Sequence, residues 1–253
     1  QATESNSVYA QGGIAAVACA TDSFASHVKD TLDASDGLAH TPTVEQIIQQ
    51  GPDAITRLQK HAVQFSEESP GKYILAKEGG HSARRIYNCG DQTGYNIISS
   101  LLRKVKQKNN ITIFENHTAV NLITHYAPHS PGFLGEVLGA YIFDSEQDVI
   151  HTFCSNVVVL ATGGAGKTYR YTTNSMVATG DGVAMSYRAG ARVGNMEFYQ
   201  CHPTLLHHPT LNNFLISEAV RGEGAILKNA DNQQRFMQNY APNKQELATR
   251  DIV

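Results

Sequence analysis

The stretch NVVVLATGGAGKT (156–168) constrains the fold of this chain more than any other. A short run of β-branched residues that ends in a glycine cluster is typical of a buried strand leading into a tight turn. Segments with helical spacing lie on both sides of this run, so the sequence predicts an α/β protein. At 253 residues, 41% of them apolar, the chain is long enough to bury a sizeable core.

The same stretch also has the spacing of a nucleotide phosphate loop. Ala161 stands where the first glycine of such a loop belongs, and Gly166, Lys167 and Thr168 complete the pattern. A phosphate loop needs a helix that begins at the lysine and threonine. The following residues, TYRYTTN, disfavour a helix start. We therefore expect a glycine turn here and not an ATP or GTP site.

Apolar periodicity predicts the other elements. One helix follows Asp22, which can cap it; a second contains Val44 and restarts at Pro52; the third carries an apolar stripe from Ile97 to Val105. A further helix is expected from about Gly180 to Gly190. The strand-like stretches are ITIFE (111–115), TAVNLI (118–123), VLGAYIFD (137–144) and NVVVLAT (156–162), and YAPHSPG (126–132) reads as a surface turn.

Composition excludes several classes of protein. A net charge of −3 is too small to indicate nucleic acid or an anionic membrane as a partner, and the apolar runs are too short to span a bilayer. Four cysteines form no CxxC pair, and His202, His207 and His208 lack the spacing and carboxylates of a metal site. No leader pattern precedes SVYAQGG. We expect a reduced, cytoplasmic protein without a metal, and a piece of a longer chain.

Three glycine turns allow a ligand to approach the backbone closely. They lie at Gln11-Gly12-Gly13, at Gly163-Gly164 and at Gly180-Asp181-Gly182, which begins a helix and presents amides and a carboxylate. Three such turns in one α/β chain indicate one large cofactor that is contacted from several sides. Each turn taken alone is equally a capped helix or a plain loop.

Several charged residues also have ordinary structural readings. His202 is typical of a structural loop histidine, and Arg221 with Glu223 of a solvated turn. Arg84 and Arg85 read as a surface pair.

A set of motifs in fixed order gives these residues a different meaning. SVYAQGG, EGGHSARRI, DQTG, VVLATGGAGK, ATGDGVAM, HPT, FLISEAVRGEGA and RDIV resemble the flavoprotein family of L-aspartate oxidases, fumarate reductases and succinate dehydrogenases, from about residue 6 to 253. EGGHS and Tyr9 are most similar to the aspartate oxidases. Asn6 stands where the quinone-linked dehydrogenases carry a flavin-bound histidine, so the resemblance implies a non-covalent FAD.

The resemblance also implies a domain plan. Residues 1–195 would form a Rossmann-like FAD-binding domain that lacks its first βαβ unit with the GxGxxG turn, and residues 196–253 the beginning of an α+β capping domain that binds substrate. The implied cofactor-binding residues are Asn6, Ser7, Val8, Tyr9, Ala10, Gln11, Gly12, Gly13, Ala161, Thr162, Gly163 and Asp181.

A four-carbon dicarboxylate needs cationic or hydrogen-bonding groups at both ends, and L-aspartate adds an ammonium group that requires a negative partner. The implied catalytic residues are Arg250, in a proton-handling role, with His202, Glu78, Glu218 and Arg221. The implied substrate-binding residues are Glu78, which would pair with the ammonium, and His202, Ser217 and Arg250.

The implied reaction is FAD-dependent oxidation of L-aspartate to iminoaspartate, with oxygen or fumarate as electron acceptor, on the route to quinolinate and NAD (pyridine nucleotide biosynthesis). The implied partners are L-aspartate, fumarate and quinolinate synthase. A fumarate reductase or succinate dehydrogenase flavoprotein is the enzymatic alternative, and a fragment without cofactor or activity is the other. We expect the isolated 253-residue chain to be inactive.

Overall fold

A computed structural model describes residues 2–125, 135–208 and 214–253. The surface turn predicted at 126–132 lies outside these residues. The chain divides into two compact units: one contains the residues up to Asn6 together with Asn109–Tyr199, and the other contains Ser7–Lys108 and Gln200–Val253. The predicted domain boundary between residues 195 and 196 remains a prediction.

Helices and short strands alternate along the described residues. The helices are α1 Phe24–Ala34, α2 Thr41–Gln49, α3 Gly51–Lys60, α4 Thr93–Lys106, α5 Asp181–Arg188, α6 Ala219–Gly222 and α7 Met237–Tyr240. The strands are β1 Ile14–Ala15, β2 Glu67–Ser69, β3 Lys72–Tyr73, β4 Ile86–Tyr87, β5 His117–His125, β6 Glu136–Asp144, β7 Val149–Cys154, β8 Leu205–Leu206 and β9 Phe214–Leu215.

The helices follow the predicted periodicity. Pro52 lies in the first turn of α3, where its missing N–H costs nothing, and α4 covers the apolar stripe with basic residues in its last turn. The predicted cap of α1 is wrong by one residue. Ser23 is the N-cap and its hydroxyl accepts the Ser26 N–H, while the carboxylate of Asp22 binds Arg85.

The larger sheet belongs to the unit that contains Asn109–Tyr199. Its strands β5, β6 and β7 are consecutive and antiparallel, and Arg188 of α5 donates hydrogen bonds to Asn121 and to the Val120 carbonyl on β5. TAVNLI and VLGAYIFD are therefore confirmed as strands. Strand β7 was not predicted, because the two faces of VIHTFC differ too little in hydrophobicity.

The main apolar core belongs to the other unit. Ile55 of α3 and Tyr87 of β4 pack with Val63 and Phe65 around Ala16, which is fully buried. A second cluster joins Met237 to Ala241 and Ala248 near the C-terminal end of the chain. These clusters fix β1, β4 and the last 20 residues, which include Arg250.

Two strand predictions are wrong. ITIFE and NVVVLAT belong to no strand, and Val157 and Val159 are 73% and 80% exposed. A strand needs a neighbour that accepts and donates its backbone hydrogen bonds, and among the described residues none lies beside either stretch.

The pairs of named strands in the described part of the chain are all antiparallel. The mixed helix and strand content is confirmed, whereas the incomplete Rossmann-like domain and the capping domain remain predictions. No helix within the described ranges is long and apolar enough to cross a membrane.

Candidate functional site

A tight loop carries Glu78 into the unit that also holds the last residues of the chain. The His81 N–H donates to the Glu78 carbonyl at 3.2 Å, and Gly80 closes this turn with a φ of +83°. A Cβ on Gly79 would lie 3.0 Å from the Ala248 carbonyl oxygen, and one on Gly12 would lie 2.9 Å from Glu78 Oε1. The loop therefore packs against both the AQGG turn and the C-terminal segment.

A carboxylate bridges two guanidinium groups beside this loop. Glu218 Oε1 accepts from Arg221 Nη2 at 2.7 Å, and Glu218 Oε2 accepts from Arg250 Nε at 2.8 Å. The first contact follows from the i, i+3 spacing at the start of α6. Arg221 is 6% exposed and also donates to the Glu246 carbonyl, while Arg250 reaches Gln200 Oε1 at 3.2 Å.

The electrostatics tie Glu78 to this network. Burial raises the pKa of Glu78, Glu218 raises it further, and Arg250 and Arg221 oppose the shift. The carboxylate is therefore easier to protonate than an ordinary glutamate unless a cation approaches it.

His202 lies close enough to interact electrostatically with Glu218, Arg250 and Arg221. Burial lowers the pKa of His202, against the effects of its hydrogen bond to Thr204 and of Glu218. Its Nδ1 lies 2.9 Å from the Thr204 carbonyl oxygen and 3.2 Å from the Thr204 nitrogen, so the loop fixes the ring. Ser217 accepts the Ala219 N–H through its hydroxyl at 3.3 Å, where α6 begins.

The structure thus brings together Glu78, His202, Glu218, Arg221 and Arg250, which lie up to 172 residues apart in the chain. Two arginines that the sequence suggested as surface residues, Arg221 and Arg85, are buried. Arg221 is buried, although Glu223 beside it is exposed and pairs with Arg84 at 3.5 Å. Arg84 is on the surface, whereas Arg85 is fully buried between Asp22 and Asp30.

Four buried side-chain polar atoms of this unit have no hydrogen-bond partner among the described residues: Gln11 Oε1, His27 Nδ1, Thr204 Oγ1 and Arg221 Nε. All of them except His27 Nδ1 belong to segments of the candidate site, and buried polar atoms are rarely left unpaired without a ligand or water. The orphaned Gln11 oxygen fits a ligand that donates a hydrogen bond, as a flavin ring can. The Gln11 amide meanwhile donates to the Leu215 carbonyl at 3.2 Å, so its orientation is fixed.

The predicted cofactor residues Ser7 to Gly13 lie in the same unit as Glu78. A Cβ on Gly13 would lie 2.1 Å from the Tyr87 carbonyl oxygen, and Gly94 of α4 donates to the Ala10 carbonyl at 2.9 Å. Only glycine fits at position 13, because β4 packs directly against that backbone. This turn is a rigid, close-packed backbone segment that carries Gln11.

The remaining predicted cofactor residues lie in the other unit. The Asn6 side chain bonds to Asn174 and Ser175, each at 2.6 Å. Asp181 opens α5 and accepts from the Thr179 hydroxyl at 2.7 Å. A Cβ on Gly182 would lie 1.9 Å from Thr162 Oγ1, so the segment Ala161–Gly163 runs against the N-terminal end of this helix.

The phosphate-loop pattern does not form a phosphate loop. Gly166–Thr168 make one 3-10 turn, and Tyr169 then adopts an extended conformation, so no helix begins at the lysine and threonine. The Gly166 carbonyl instead accepts from the Tyr199 hydroxyl at 2.9 Å.

Sequence reasoning missed Gln200, Thr204 and Glu246. Thr204 is the last residue of HPT and Gln200 lies two residues before His202, and that proximity is a signal that could have selected them. Glu246 acts through its backbone carbonyl, for which the sequence carries no signal. Across the described ranges, no group of three or more His, Cys, Asp or Glu side chains is placed to hold a metal ion.

Comparison with known proteins identifies close relatives. An L-aspartate oxidase of Acinetobacter baylyi is 45% identical over 99% of this chain and 46% of its own length. An L-aspartate oxidase of Yersinia pestis is 46% identical over 99% of this chain and 47% of its own length. The chain therefore spans about half the length of the curated relatives that it matches.

A solved structure of E. coli quinol fumarate reductase matches this fold with a TM-score of 0.89 at 31% identity, over 100% of this chain and 43% of that chain. The family model described as "FAD binding domain" matches residues 1–253, which indicates FAD as the cofactor. Because that match covers the whole chain, this protein belongs to the FAD binding domain family.

Proposed function

We propose that this chain carries the substrate-contacting region of an enzyme that oxidises L-aspartate to iminoaspartate with FAD. The observation that carries the proposal is the placement of Glu78, a half-buried carboxylate, beside the Arg221–Glu218–Arg250 network. Two cations and His202 suit the two carboxylates of a dicarboxylic acid, and Glu78 suits an ammonium group. The similarity to L-aspartate oxidases over 99% of the chain supports the same activity.

Each residue of the site has a separate proposed role. Arg250, His202 and Ser217 would hold the carboxylates, and Glu78 would hold the ammonium, so the substrate is bound in one orientation. When bound, FAD would supply the two-electron acceptor for the hydride that leaves the α-carbon, and the substrate nitrogen would lose a proton as the C=N bond forms. Arg250 is the proposed proton-handling residue. Glu218 stabilises its position and charge, which keeps the guanidinium oriented while the substrate turns over.

Further parts of the proposal concern the wider enzyme. Oxygen or fumarate would reoxidise the flavin, and the iminoaspartate would pass to quinolinate synthase in NAD biosynthesis. The FAD would be held without a covalent bond, because Asn6 stands in place of a flavin-bound histidine. A cytoplasmic location fits these roles.

A fumarate reductase or succinate dehydrogenase flavoprotein is the second candidate, and the high structural similarity to E. coli quinol fumarate reductase favours it. The two candidates differ in what Glu78 does. Fumarate and succinate carry no ammonium, so a half-buried carboxylate beside them would repel substrate when ionised. The presence of Glu78 therefore supports the aspartate-oxidising candidate.

The test is Glu78→Gln in the full-length enzyme. Aspartate-dependent flavin reduction should fall by about 10²-fold or more, because an ammonium partner is lost, while fumarate reduction should survive. Glu223→Gln is the matched control, since Glu223 is an exposed glutamate of the same unit. Equal losses of both activities in Glu78→Gln would contradict the proposal.

A further inference from the structure

We propose that Asp30 in α1 is a positioning residue for Glu78: it holds the loop 78–82 from outside and thereby sets the preference for an ammonium-bearing substrate. This inference rests on the proposed function of Glu78. Asp30 lies 48 residues before Glu78 in the sequence and on a helix that contributes no residue to the candidate site.

A single oxygen of Asp30 receives three donors. Its Oδ2 accepts the Ser82 N–H at 2.7 Å, the Ser82 hydroxyl at 2.8 Å and Arg85 Nη1 at 2.6 Å. The Asp30 side chain is 14% exposed, so solvent screens these charge-assisted contacts weakly. The C-terminal end of the loop is therefore fixed to α1.

Arg85 does not depend on Asp30 for its charge balance. Asp22 binds the guanidinium through two contacts, Nε to Oδ2 at 2.8 Å and Nη2 to Oδ1 at 2.6 Å, and both side chains are fully buried. The hydrogen bonds of the Asp22 side chain go to Arg85 and to the Ser23 N–H, and not to Ser82.

Arg85 itself reaches the Glu78 loop only through longer contacts, to Ser82 Oγ at 3.4 Å and to His81 Nδ1 at 3.5 Å, and the Ser26 hydroxyl of α1 lies 2.9 Å from that of Ser82. Asp30 makes the shortest contacts between the ion pair and the loop, and it is the carboxylate that binds both Arg85 and Ser82.

The loop itself needs such an external contact. Gly79 and Gly80 lie directly after Glu78, and glycines leave the backbone more freedom than any other residue. The turn hydrogen bond from His81 to Glu78 and the Lys77 Nζ bond to the Ser82 carbonyl at 3.1 Å make the segment one unit. A displacement of Ser82 would therefore move the Glu78 carboxylate, and displacements of about 1 Å lower rates severely in enzyme sites.

The experiment compares Asp30→Ala with Asp22→Ala in the full-length enzyme, each alone and combined with Glu78→Gln. Asp30→Ala should raise the KM for aspartate about tenfold and leave the KM for fumarate within about twofold, which reflects loss of most of one charge-assisted contact. Asp22→Ala should leave the ratio of the two KM values unchanged, because Asp30 still holds both Arg85 and Ser82. In the Glu78→Gln background, Asp30→Ala should have no further effect on aspartate.

Each outcome separates the two proposals. A Glu78→Gln variant without a selective loss for aspartate would refute the proposed role of Glu78. A selective Glu78→Gln combined with an Asp30→Ala that changes both substrates equally, or that adds its full effect to Glu78→Gln, would refute the positioning role. If Asp30→Ala does not fold, Ser82→Ala removes the hydroxyl contact and keeps the ion pairs, and it should show the same selectivity at smaller size.

Discussion

Glu218 should be the carboxylate on which the candidate site most depends for stability. It is 11% exposed at its side chain and contacts the guanidinium groups of both Arg221 and Arg250. Glu218→Gln keeps the shape of the side chain and removes its charge. The buried Arg221 would then lose its anionic partner, while Arg250, 39% exposed, could be hydrated instead.

The expected size follows from these exposures. Removing one partner of a buried ion pair costs about 3–5 kcal/mol in free energy of unfolding, because the other charge stays buried. Glutamine still accepts a hydrogen bond, and Arg221 keeps the Glu246 carbonyl at 2.7 Å, so we expect about 2–3 kcal/mol. The contact with Arg250 adds at most about 1 kcal/mol because solvent screens it.

Urea unfolding of the full-length enzyme measures this cost. Glu223→Gln is the matched control, since Glu223 pairs with Arg84 at 3.5 Å and both side chains are more than half exposed. We expect that control to cost less than about 1 kcal/mol. If Glu218→Gln shifted the unfolding midpoint no more than Glu223→Gln at equal m-values, the buried network would not stabilise the fold, and the reasoning from burial would be wrong.

Three further predictions concern catalysis, pH and the isolated chain. Arg250→Leu in the full-length enzyme should abolish turnover and keep the flavin spectrum, and lysine should restore little because it lacks the planar two-pronged contact; near-normal turnover would assign the proton to another residue. Burial, followed by the Arg85 charge, holds the pKa of His27 and that of His81 below 6.5, so both are neutral in the fold. The stability that these histidines contribute should therefore be full above about pH 6.5 and should fall as the pH drops below it, and replacing both histidines with glutamine should make the unfolding midpoint fall less steeply below about pH 6.5. The 253-residue chain alone contains no GxGxxG turn, and we expect it to bind FAD weakly and release no peroxide with aspartate. Micromolar binding in isothermal titration would show that the chain holds the cofactor without further segments.

Local patterns predicted what local interactions determine. The helices α1 to α4 appeared where apolar residues recur every three or four positions, since that spacing alone builds a buried face, and α5 began at the predicted Gly180-Asp181-Gly182 turn. NVVVLAT and ITIFE have equally clear strand composition, yet neither is a strand. A strand is completed by a neighbour elsewhere in the protein, and composition gives no information about whether that neighbour is present.

In the candidate site too, the sequence predicts local contacts and does not predict distant ones. Glu218 and Arg221 could be paired from their spacing, because residues three apart on a helix are neighbours. The approach of Glu78 and Arg250 to that pair could not, since contacts over 140 residues (Glu78 to Glu218) and over 32 residues (Arg250 to Glu218) leave no mark in periodicity. The family resemblance supplied those residues. It gave no signal for Arg85, which two adjacent arginines suggested as a surface residue and which is buried against Asp22, 63 residues away.

One titratable carboxylate can account for a site that accepts both aspartate and fumarate under the proposed function. Glu78, Glu218, Arg221 and Arg250 cancel in charge when all are ionised, so a dicarboxylate adds two negative charges. The ammonium of aspartate offsets one of them beside Glu78, which favours the ionised carboxylate. Fumarate offers no such cation, and since burial and Glu218 already raise the pKa of Glu78, proton uptake there would relieve the repulsion. Selectivity then depends on where a single side chain is held, which is why a loop of two glycines would need the contact from Asp30.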